Sequence, residues 1–172
     1  AGLGKENNRF SYAALWDDFD NDGDQDLYVA NDFGGNNYYR NEGGTFLEVT
    51  AEVGLFAGEF SMGACSGDFN GDGRVDLHVS NMFSSAGTRV TRQAAFKAGA
   101  GGNMKERFQL LSKGNALNLN QSEGGFRIAS DEAGITVGRW SWASLAPDLN
   151  NDGWDDLLVA NGFITGRQPD DL

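Results

Sequence analysis

The chain has little of the chemistry on which several common protein classes depend. It contains one cysteine, Cys65, and one histidine, His78, so it forms no intrachain disulfide and offers few ligands to soft metals. It has two prolines and no apolar run near the roughly 18 residues of a membrane-spanning helix. The 13 Lys and Arg residues face 25 Asp and Glu residues, and the net charge of −12 argues against a nucleic-acid partner.

Glycine and aspartate are abundant, and the aspartates are regularly spaced. The 25 glycines and a hydrophobic content of 40% are typical of a globular chain of short strands joined by tight turns. The segment DFDNDGDQD, from Asp18 to Asp26, has an aspartate at every second residue. Like charges repel at this short range, so the pattern predicts that a cation neutralises them.

The acidic segment occurs three times. DFNGDGRVD spans residues 68–76 and DLNNDGWDD spans residues 148–156, so all three segments follow the pattern D-x-[DN]-x-D-G-x-x-D. We call residues 18–26 loop 1, residues 68–76 loop 2 and residues 148–156 loop 3. The first two loops start 50 residues apart and the next two 80 residues apart. The second repeat therefore contains an insertion of about 30 residues, which we place at residues 84–115.

The flanks of the loops predict an all-β fold. Stretches such as SYAALWDDF and DLYVAND alternate in the manner of strands, and NEGGTF and SEGGF are typical hairpin turns. Each repeat thus reads strand, acidic loop, strand, strand, turn, strand. The insertion is predicted to be partly helical and basic, and its cations form either a solvated helix face or a contact surface for an acidic partner. These cations are Arg89, Arg92, Lys97, Lys105, Arg107 and Lys113.

Calcium is the cation that fits such loops. It takes 6–8 oxygen ligands, which side chains at loop positions 1, 3, 5 and 9 and the backbone carbonyl at position 7 can supply. The glycine at position 6 permits the sharp turn that brings these ligands inward. Magnesium prefers fewer protein ligands and retained waters. An EF-hand would need a glutamate at position 12, where this chain has Val29, Val79 and Val159.

The segment GDFNGDGRVDLHVSN resembles the FG-GAP/VCBS repeat, the blade unit of integrin-α-like β-propellers. The whole chain, including AGTRVTRQ and VANGFITG, resembles bacterial secreted proteins related to the ASPIC/UnbV group. The resemblance implies blades of four antiparallel strands and about three Ca²⁺ ions, one in the first hairpin loop of each blade. The implied metal ligands are Asp18, Asp20, Asp22, Asp24, Asp26, Asp68, Asn70, Asp72, Arg74, Asp76, Asp148, Asn150, Asp152, Trp154 and Asp156.

These repeats predict one partial β-propeller of about three blades. Residues 1–3 are assigned as the last strand of a preceding blade, 4–55 as blade 1, 56–135 as blade 2 with its insertion, and 136–172 as an incomplete blade 3. Propellers usually close with 4–8 blades. We therefore expect either a piece of a larger propeller or a chain whose sheets are completed by other copies of itself, in a ring or a fibre.

The function predicted from these features is a non-enzymatic, calcium-binding extracellular or cell-surface module for adhesion or self-assembly. We assign no catalytic residue and no organic cofactor, and a glycan or another cell-surface ligand is a candidate partner. The alternative is the scaffold of a polysaccharide-active enzyme or of a sugar-binding lectin, in which the tryptophans Trp16, Trp140, Trp142 and Trp154 would stack on sugars.

Single residues outside the loops receive structural interpretations. Cys65 is expected to be a buried thiol, and His78 a half-exposed strand side chain. Ser11, Ser61 and Ser141 each stand seven residues before a loop, which is typical of repeated packing. Asn120 begins an N-glycosylation sequon that chance explains equally well.

Overall fold

Consecutive strands of the chain pair with one another as antiparallel hairpins. The computed structural model describes residues 2–3, 9–55, 60–99 and 104–161. In these residues, sheet 1 and sheet 2 have four strands each, in the order of the chain, and sheet 3 has two. Sheet 1 contains β1 (Phe10–Asp17), β2 (Asp26–Asp32), β3 (Asn37–Glu42) and β4 (Thr45–Glu48); sheet 2 contains β5 (Ser61–Gly67), β6 (Asp76–Asn81), β7 (Ala116–Asn120) and β8 (Phe126–Ile128); sheet 3 contains β9 (Ser141–Leu145) and β10 (Leu158–Asn161). This architecture confirms the predicted all-β class and a partial propeller-like fold.

The first hairpin of each sheet has the same register. Asp17 pairs with Asp26 in sheet 1, Gly67 pairs with Asp76 in sheet 2, and Leu145 pairs with Leu158 in sheet 3. A register shift occurs near the opposite end of each hairpin, which adds local twist. The three acidic loops therefore occupy equivalent places at the closed end of their hairpins.

The main core lies between sheet 1 and sheet 2. Leu77 and Val79 of β6 face sheet 1, and they are completely buried against it. Since side chains of a strand alternate between its two faces, His78 of β6 points away from sheet 1. The buried members of this core are Phe19, Tyr28, Ala30, Tyr38, Val49, Leu55, Leu77, Val79 and Ala116.

The insertion between β6 and β7 contains two short helices, which confirms the prediction that it is partly helical. Helix α1 (Ser85–Arg92) begins after Ser84, whose side chain accepts a hydrogen bond from the N–H of Gly87 at 3.0 Å and so caps the helix. Helix α2 (Met104–Leu111) follows. An isolated bridge between Phe83 and Lys113 closes the insertion at its base. The helices thus lie at the end of sheet 2 that is opposite to loop 2.

The predicted blade boundaries stay a prediction, and the structure shows only where the sheets lie relative to them. Sheets 1, 2 and 3 fall inside the segments assigned to blades 1, 2 and 3. Gly2 and Leu3 belong to no strand, and Gly2 lies against the carbonyl of Phe46 in β4. Ala1 and residues 162–172 lie outside the described residues. The strand assigned to residues 1–3 stays a prediction.

Candidate metal centre

All three loops fold around their first aspartate. The carboxylate at position 1 accepts hydrogen bonds from the backbone N–H groups at positions 5 and 6. These bonds measure 3.1 and 3.0 Å at Asp18, 3.0 and 2.8 Å at Asp68, and 3.1 and 2.9 Å at Asp148. A second set of bonds, 3.0 Å each, runs from the N–H at position 7 to the aspartate at position 5, which is Asp22, Asp72 or Asp152. Each loop is therefore a closed turn whose aspartates at positions 1 and 5 face inward.

The glycine at position 6 is required by its backbone conformation. Gly23, Gly73 and Gly153 have φ values of 95°, 80° and 88°, and a Cβ added at any of them would meet nothing within 4 Å. Space is therefore available, and the positive φ is what disfavours other residues. This geometry supports the prediction that the glycine turns the chain so that the flanking carboxylates converge.

The aspartate at position 9 is buried in the first two loops. Asp26 and Asp76 are completely buried. Asp26 accepts hydrogen bonds from the Phe19 N–H at 3.2 Å, the Tyr38 hydroxyl at 2.6 Å and the Asn41 N–H at 2.8 Å. Burial raises the pKa of both carboxyls, to about 6 for Asp76. These two residues tie the loop to the third strand of its sheet.

Asparagines of the third strand support the loops, and the sequence analysis did not identify them. The N–H of Asn120 donates to Asp76 at 2.8 Å, as the N–H of Asn41 does to Asp26. Their side-chain amides donate to the carbonyls at position 8, Gln25 and Val75, at 3.0 Å each. One sequence signal could have revealed them, because a pair of asparagines five residues apart occurs in both repeats. The pairs are Asn36 and Asn41 in the first repeat and Asn115 and Asn120 in the second.

The same contacts explain the sequon at Asn120. This side chain is buried, and its amide nitrogen also donates to the carbonyl of Phe19 in loop 1 at 2.6 Å. A glycan on that nitrogen would break these hydrogen bonds and would have no access to solvent. The folded chain therefore uses Asn120 to join sheet 2 to loop 1.

Loop 1 has the least neutralised charge of the three. One carboxylate oxygen from each of Asp18, Asp20 and Asp22 lies within 4.8 Å of the others. Partial burial, together with the neighbouring carboxylates of Asp26, Asp22 and Asp18, raises the pKa of Asp20 to about 6. Oxygen atoms of like charge held this close together match the ligand preference of a hard divalent cation.

Loops 2 and 3 neutralise part of their charge internally. Asn70 and Asn150 at position 3 each donate a side-chain hydrogen bond of 2.9 Å to the aspartate at position 5. In loop 2, the guanidinium of Arg74 also forms an ion pair with Asp72 and donates to the carbonyl of Asn120 at 3.2 Å. A cation that binds Asp72 must therefore compete with a positive side chain already in place.

The three residues at position 7 point their side chains to different places. Asp24 accepts a hydrogen bond from the N–H of Gly43, in the turn between β3 and β4, at 3.0 Å. Arg74 turns back onto its own loop, and the ring of Trp154 lies against Gly71 of loop 2. The prediction that position 7 acts through its carbonyl is compatible with this variety, and the fifteen-residue ligand set stays a prediction.

Residues 18–79 match the family model of the FG-GAP-like repeat. The matched segment runs from the first aspartate of loop 1, through sheet 1 and loop 2, to β6 of sheet 2. FG-GAP-like repeats are typical of extracellular proteins, and calcium is often bound to them. No curated protein matches the chain. Within the described residues, no helix is long and apolar enough to cross a membrane.

The donor set fits a calcium ion best in loop 1. Asp18, Asp20 and Asp22 are hard oxygen donors that form no ion pair with any of the described residues, and the backbone of the loop is already closed by hydrogen bonds. Asp18, Asp20 and Asp22 would hold the ion there, and the equivalent residues would hold one in loops 2 and 3. The ion would supply positive charge at the closed end of each hairpin.

The other singled-out residues are structural. Cys65 is buried as predicted, and burial raises the pKa of its thiol. The hydroxyls of Ser11 and Ser61 donate to Asn31 at 2.8 Å and to Asn81 at 2.7 Å, which agrees with repeated packing. The prediction for His78 is wrong: it is completely buried, and neither ring nitrogen has a hydrogen-bond partner among the described residues. Burial lowers the pKa of His78 to about 4.

The tryptophans have different neighbours. Trp16 packs edge-on against Phe46, Trp154 lies against Gly71, and Trp140 lines an apolar pocket beside the helices. The stacking platform of Trp16, Trp140, Trp142 and Trp154 in the lectin alternative stays a prediction.

Proposed function

We propose that the chain is a non-enzymatic extracellular repeat module that binds about three Ca²⁺ ions and acts in adhesion or self-assembly. The observation that carries the proposal is the convergence of Asp18, Asp20 and Asp22 in a closed loop whose backbone geometry recurs twice along the chain. The kinship with secreted proteins of the ASPIC/UnbV group is part of the same proposal.

Calcium would act on the fold through the hairpins. Each loop joins the first two strands of its sheet, so the repulsion among its aspartates strains that hairpin until a cation neutralises it. An ion that binds only the folded state stabilises it by about 2.7 kcal/mol per site at a hundredfold excess over Kd. Extracellular calcium, which reaches millimolar levels, saturates even modest sites of this kind.

Self-assembly is supported by two open sheet faces. Trp16 of β1 is about half exposed on the face of sheet 1 that is opposite to sheet 2, where it pairs with Leu27 and packs against Phe46. Leu145 and Leu158 of sheet 3 are exposed as well. Sheets of a propeller bury both faces, so further sheets, from other copies of the chain, would cover these apolar surfaces in a ring or a fibre.

The basic insertion would add an electrostatic attraction between neighbouring copies in such an assembly. Arg89 and Arg92 lie at the end of α1 in a chain with a net charge of −12. They would face acidic loops of a neighbouring copy, and salt would weaken that contact.

Calcium titration tests the proposal. Isothermal titration calorimetry should show about three Ca²⁺ ions per chain, and Mg²⁺ should bind more weakly at the same loops. Excess chelator should lower the melting temperature substantially, and Ca²⁺ should restore it better than Mg²⁺. A melting curve that is unchanged in chelator would refute the proposed calcium role. Light scattering and negative-stain microscopy in millimolar Ca²⁺ test assembly, and a stable monomer of the 18.5 kDa chain would contradict it.

A further inference from the structure

The insertion at residues 84–115 concentrates the positive charge of the chain. It contains six of the 13 Lys and Arg residues but only one of the 25 Asp and Glu residues, Glu106. The remaining residues are therefore strongly acidic, with 24 acids against seven cations. Two surfaces of opposite sign on one molecule are complementary to the same two surfaces on a second copy.

The two charged surfaces lie at opposite ends of the sheets. The acidic loops occupy the closed ends of their hairpins, and Trp154 of loop 3 lies on loop 2. The insertion follows β6, which begins at loop 2 and leads away from it. Copies placed side by side in one ring would keep all loops at one end and all insertions at the other. A basic insertion therefore meets acidic loops only when a second copy is stacked on the end of the first.

Helix α1 presents two arginines to such a partner. Arg89 and Arg92 are three residues apart, so they are neighbours on the helix surface, and both are exposed. Neither forms an ion pair with any of the described residues, whereas Lys113 is paired with Asp131. A guanidinium binds carboxylates through paired hydrogen bonds, so this side of α1 fits an acidic surface.

The end that carries the loops has a cleft of the matching charge. It lies beside Arg74, between loops 1 and 2, and its volume is about 730 Å³, which is enough to receive more than one side chain. Four carboxylates line it, namely those of Asp20, Glu52, Asp72 and Glu123. The two lining guanidiniums, of Arg40 and Arg74, are each paired with an acid. Glu52 and Glu123 are exposed, and they form no ion pair with any residue that the structure describes.

We infer that α1 of one copy docks, through Arg89 and Arg92, into the acidic cleft of a second copy stacked on its end. The inference rests on the proposed self-assembly, for which it names a docking surface and a direction. Every copy has an insertion at one end and a cleft at the other. The contact is therefore heterologous, and it can repeat into a fibre that grows along the strand direction.

Calcium should weaken this contact, although it is proposed to stabilise the fold. Asp20 and Asp72 line the cleft and are also proposed calcium ligands. An ion on each loop would neutralise them and reduce the attraction for the arginines. Salt should weaken the contact as well, because it screens exposed charges. Assembly through the open sheet faces buries apolar surface and does not share this dependence on salt.

Sedimentation velocity of the whole chain over a range of concentrations tests the contact, in low and in high salt. Arg89→Gln/Arg92→Gln should weaken association in low salt roughly tenfold, and so should Glu52→Gln/Glu123→Gln on the partner surface. Arg127→Glu, at an exposed position outside the insertion and the cleft, lowers the net charge as much as Arg89→Gln/Arg92→Gln does. It is the matched control and should associate like the parent chain.

An exchange of charge identifies the two surfaces as partners. Arg89→Glu/Arg92→Glu gives a chain with two acidic surfaces, and Glu52→Arg/Glu123→Arg gives a chain with two basic ones. Each should fail to associate alone, and the two should associate when they are mixed. Circular dichroism shows whether each variant is folded. The melting temperature and the association of the parent chain are measured at low and at millimolar Ca²⁺.

The expected result is association that salt and calcium weaken, that the paired Gln substitutions reduce and that the mixture recovers. No association, association that Arg89→Gln/Arg92→Gln leaves unchanged, or folded exchange variants that stay apart when mixed would overturn the inference. Association that persists in high salt would overturn end-to-end stacking and leave assembly through the sheet faces. Stronger association in calcium would overturn the calcium effect. A calcium-stabilised chain that does not stack refutes only this inference, and a melting temperature insensitive to calcium refutes the proposed calcium role.

Discussion

The junction between sheets 1 and 2 and the junction between sheets 2 and 3 are built from equivalent residues with different chemistry. At the first junction, Tyr28 accepts a hydrogen bond from Asn36 at 2.7 Å, and Asn36 also donates to Ser61 of sheet 2 at 2.9 Å. At the second, His78 occupies the place of Tyr28, and its ring nitrogens have no hydrogen-bond partner in the part of the chain that the structure describes.

The loop ends of the two junctions differ as well. Trp154 and Asp155 of loop 3 lie on loop 2, where the Asp155 side chain accepts a hydrogen bond from the N–H of Asp68 at 3.0 Å. The corresponding Arg74 of loop 2 leaves a cleft beside loop 1. Two repeats can therefore share one backbone and still differ at their junctions. The residue at the place of Tyr28 or His78 decides whether the buried side chain is hydrogen-bonded. The residue at the place of Arg74 or Trp154 decides whether the space between the loops is filled.

The largest predicted effect is a loss of unfolding free energy in acid, and it should come from His78 at the second junction. The pKa of His78 in the fold is about 4, below the 6.5 of an exposed imidazole, so the unfolded chain binds more protons between these values. The stability that depends on neutral His78 is complete above pH 6.5 and is lost as the pH falls toward 4. The loss of unfolding free energy should be about 3 kcal/mol. We expect His78→Leu to remove it, because the third repeat already has a leucine, Leu158, at the equivalent position.

Urea unfolding of both proteins between pH 4 and 7 measures the effect as a difference curve. The pKa values of Asp20 and Asp76 are raised to about 6, which makes the metal-free fold more stable in acid. This contribution to stability is the same in the parent chain and in His78→Leu, so it cancels in the difference. Tyr28→Phe at the first junction is the control, because it should shift stability equally at every pH. A difference curve that does not change with pH would show that His78 is not the cause.

The second predicted effect is a difference in calcium affinity between loop 1 and loop 2. Asp22→Ala should remove the tightest calcium site, and Asp72→Ala a weaker one, because Arg74 and Asn70 already neutralise part of loop 2. Each variant should lose about 2.7 kcal/mol of calcium-dependent stability at a hundredfold excess of Ca²⁺ over the Kd of its site. Calorimetric titration of the two variants ranks the sites, and loss of the weakest site in Asp22→Ala would reverse the order.

The third effect concerns the contact of Trp154 with loop 2. Loops 1 and 3 have Asn21 and Asn151 at position 4, both with positive φ, whereas loop 2 has Gly71. Gly71→Asn should cost about 1–3 kcal/mol of unfolding free energy, because the new Cβ overlaps the Trp154 ring.

A second substitution separates this clash from loop strain. Trp154→Ala should cancel most of the cost of Gly71→Asn in a double-mutant cycle measured by urea unfolding. Asn21→Gly, the reverse change in loop 1, should have a smaller effect. Additive costs of Gly71→Asn and Trp154→Ala would contradict the contact.

The smallest effect should come from the countercharge in loop 2. Arg74→Gln frees Asp72 from its ion pair, so calcium no longer competes with the guanidinium. The gain should be about 1 kcal/mol or less, equivalent to a few-fold tighter binding by calorimetry. Arg127→Gln, which breaks an ion pair with Glu132 outside the loops, is the control and should leave calcium affinity unchanged. Weaker calcium binding in Arg74→Gln would indicate that the arginine supports the site.

Much of the fold could be read from the sequence because it depends on local patterns. Alternation in the strands and the glycine-containing turns predicted the hairpins, and the change of pattern after Ser84 predicted the helices. The loop geometry was equally local, since the aspartates at positions 1 and 5 bond to N–H groups two to five residues away. The supports Asn41 and Asn120 were missed because they act from 15 and 44 residues away.

The sequence by itself thus determined the repeat, the hairpin loops and their closed, acidic geometry, because short-range hydrogen bonds and backbone preferences are encoded within a few residues. Only the tertiary structure decided the environment of those loops and strands. The burial of His78, the position of Trp154 on Gly71 and the cleft beside Arg74 depend on how one sheet packs on the next. Such packing is set by side-chain shape across the interface, which alternation along a single strand does not reveal.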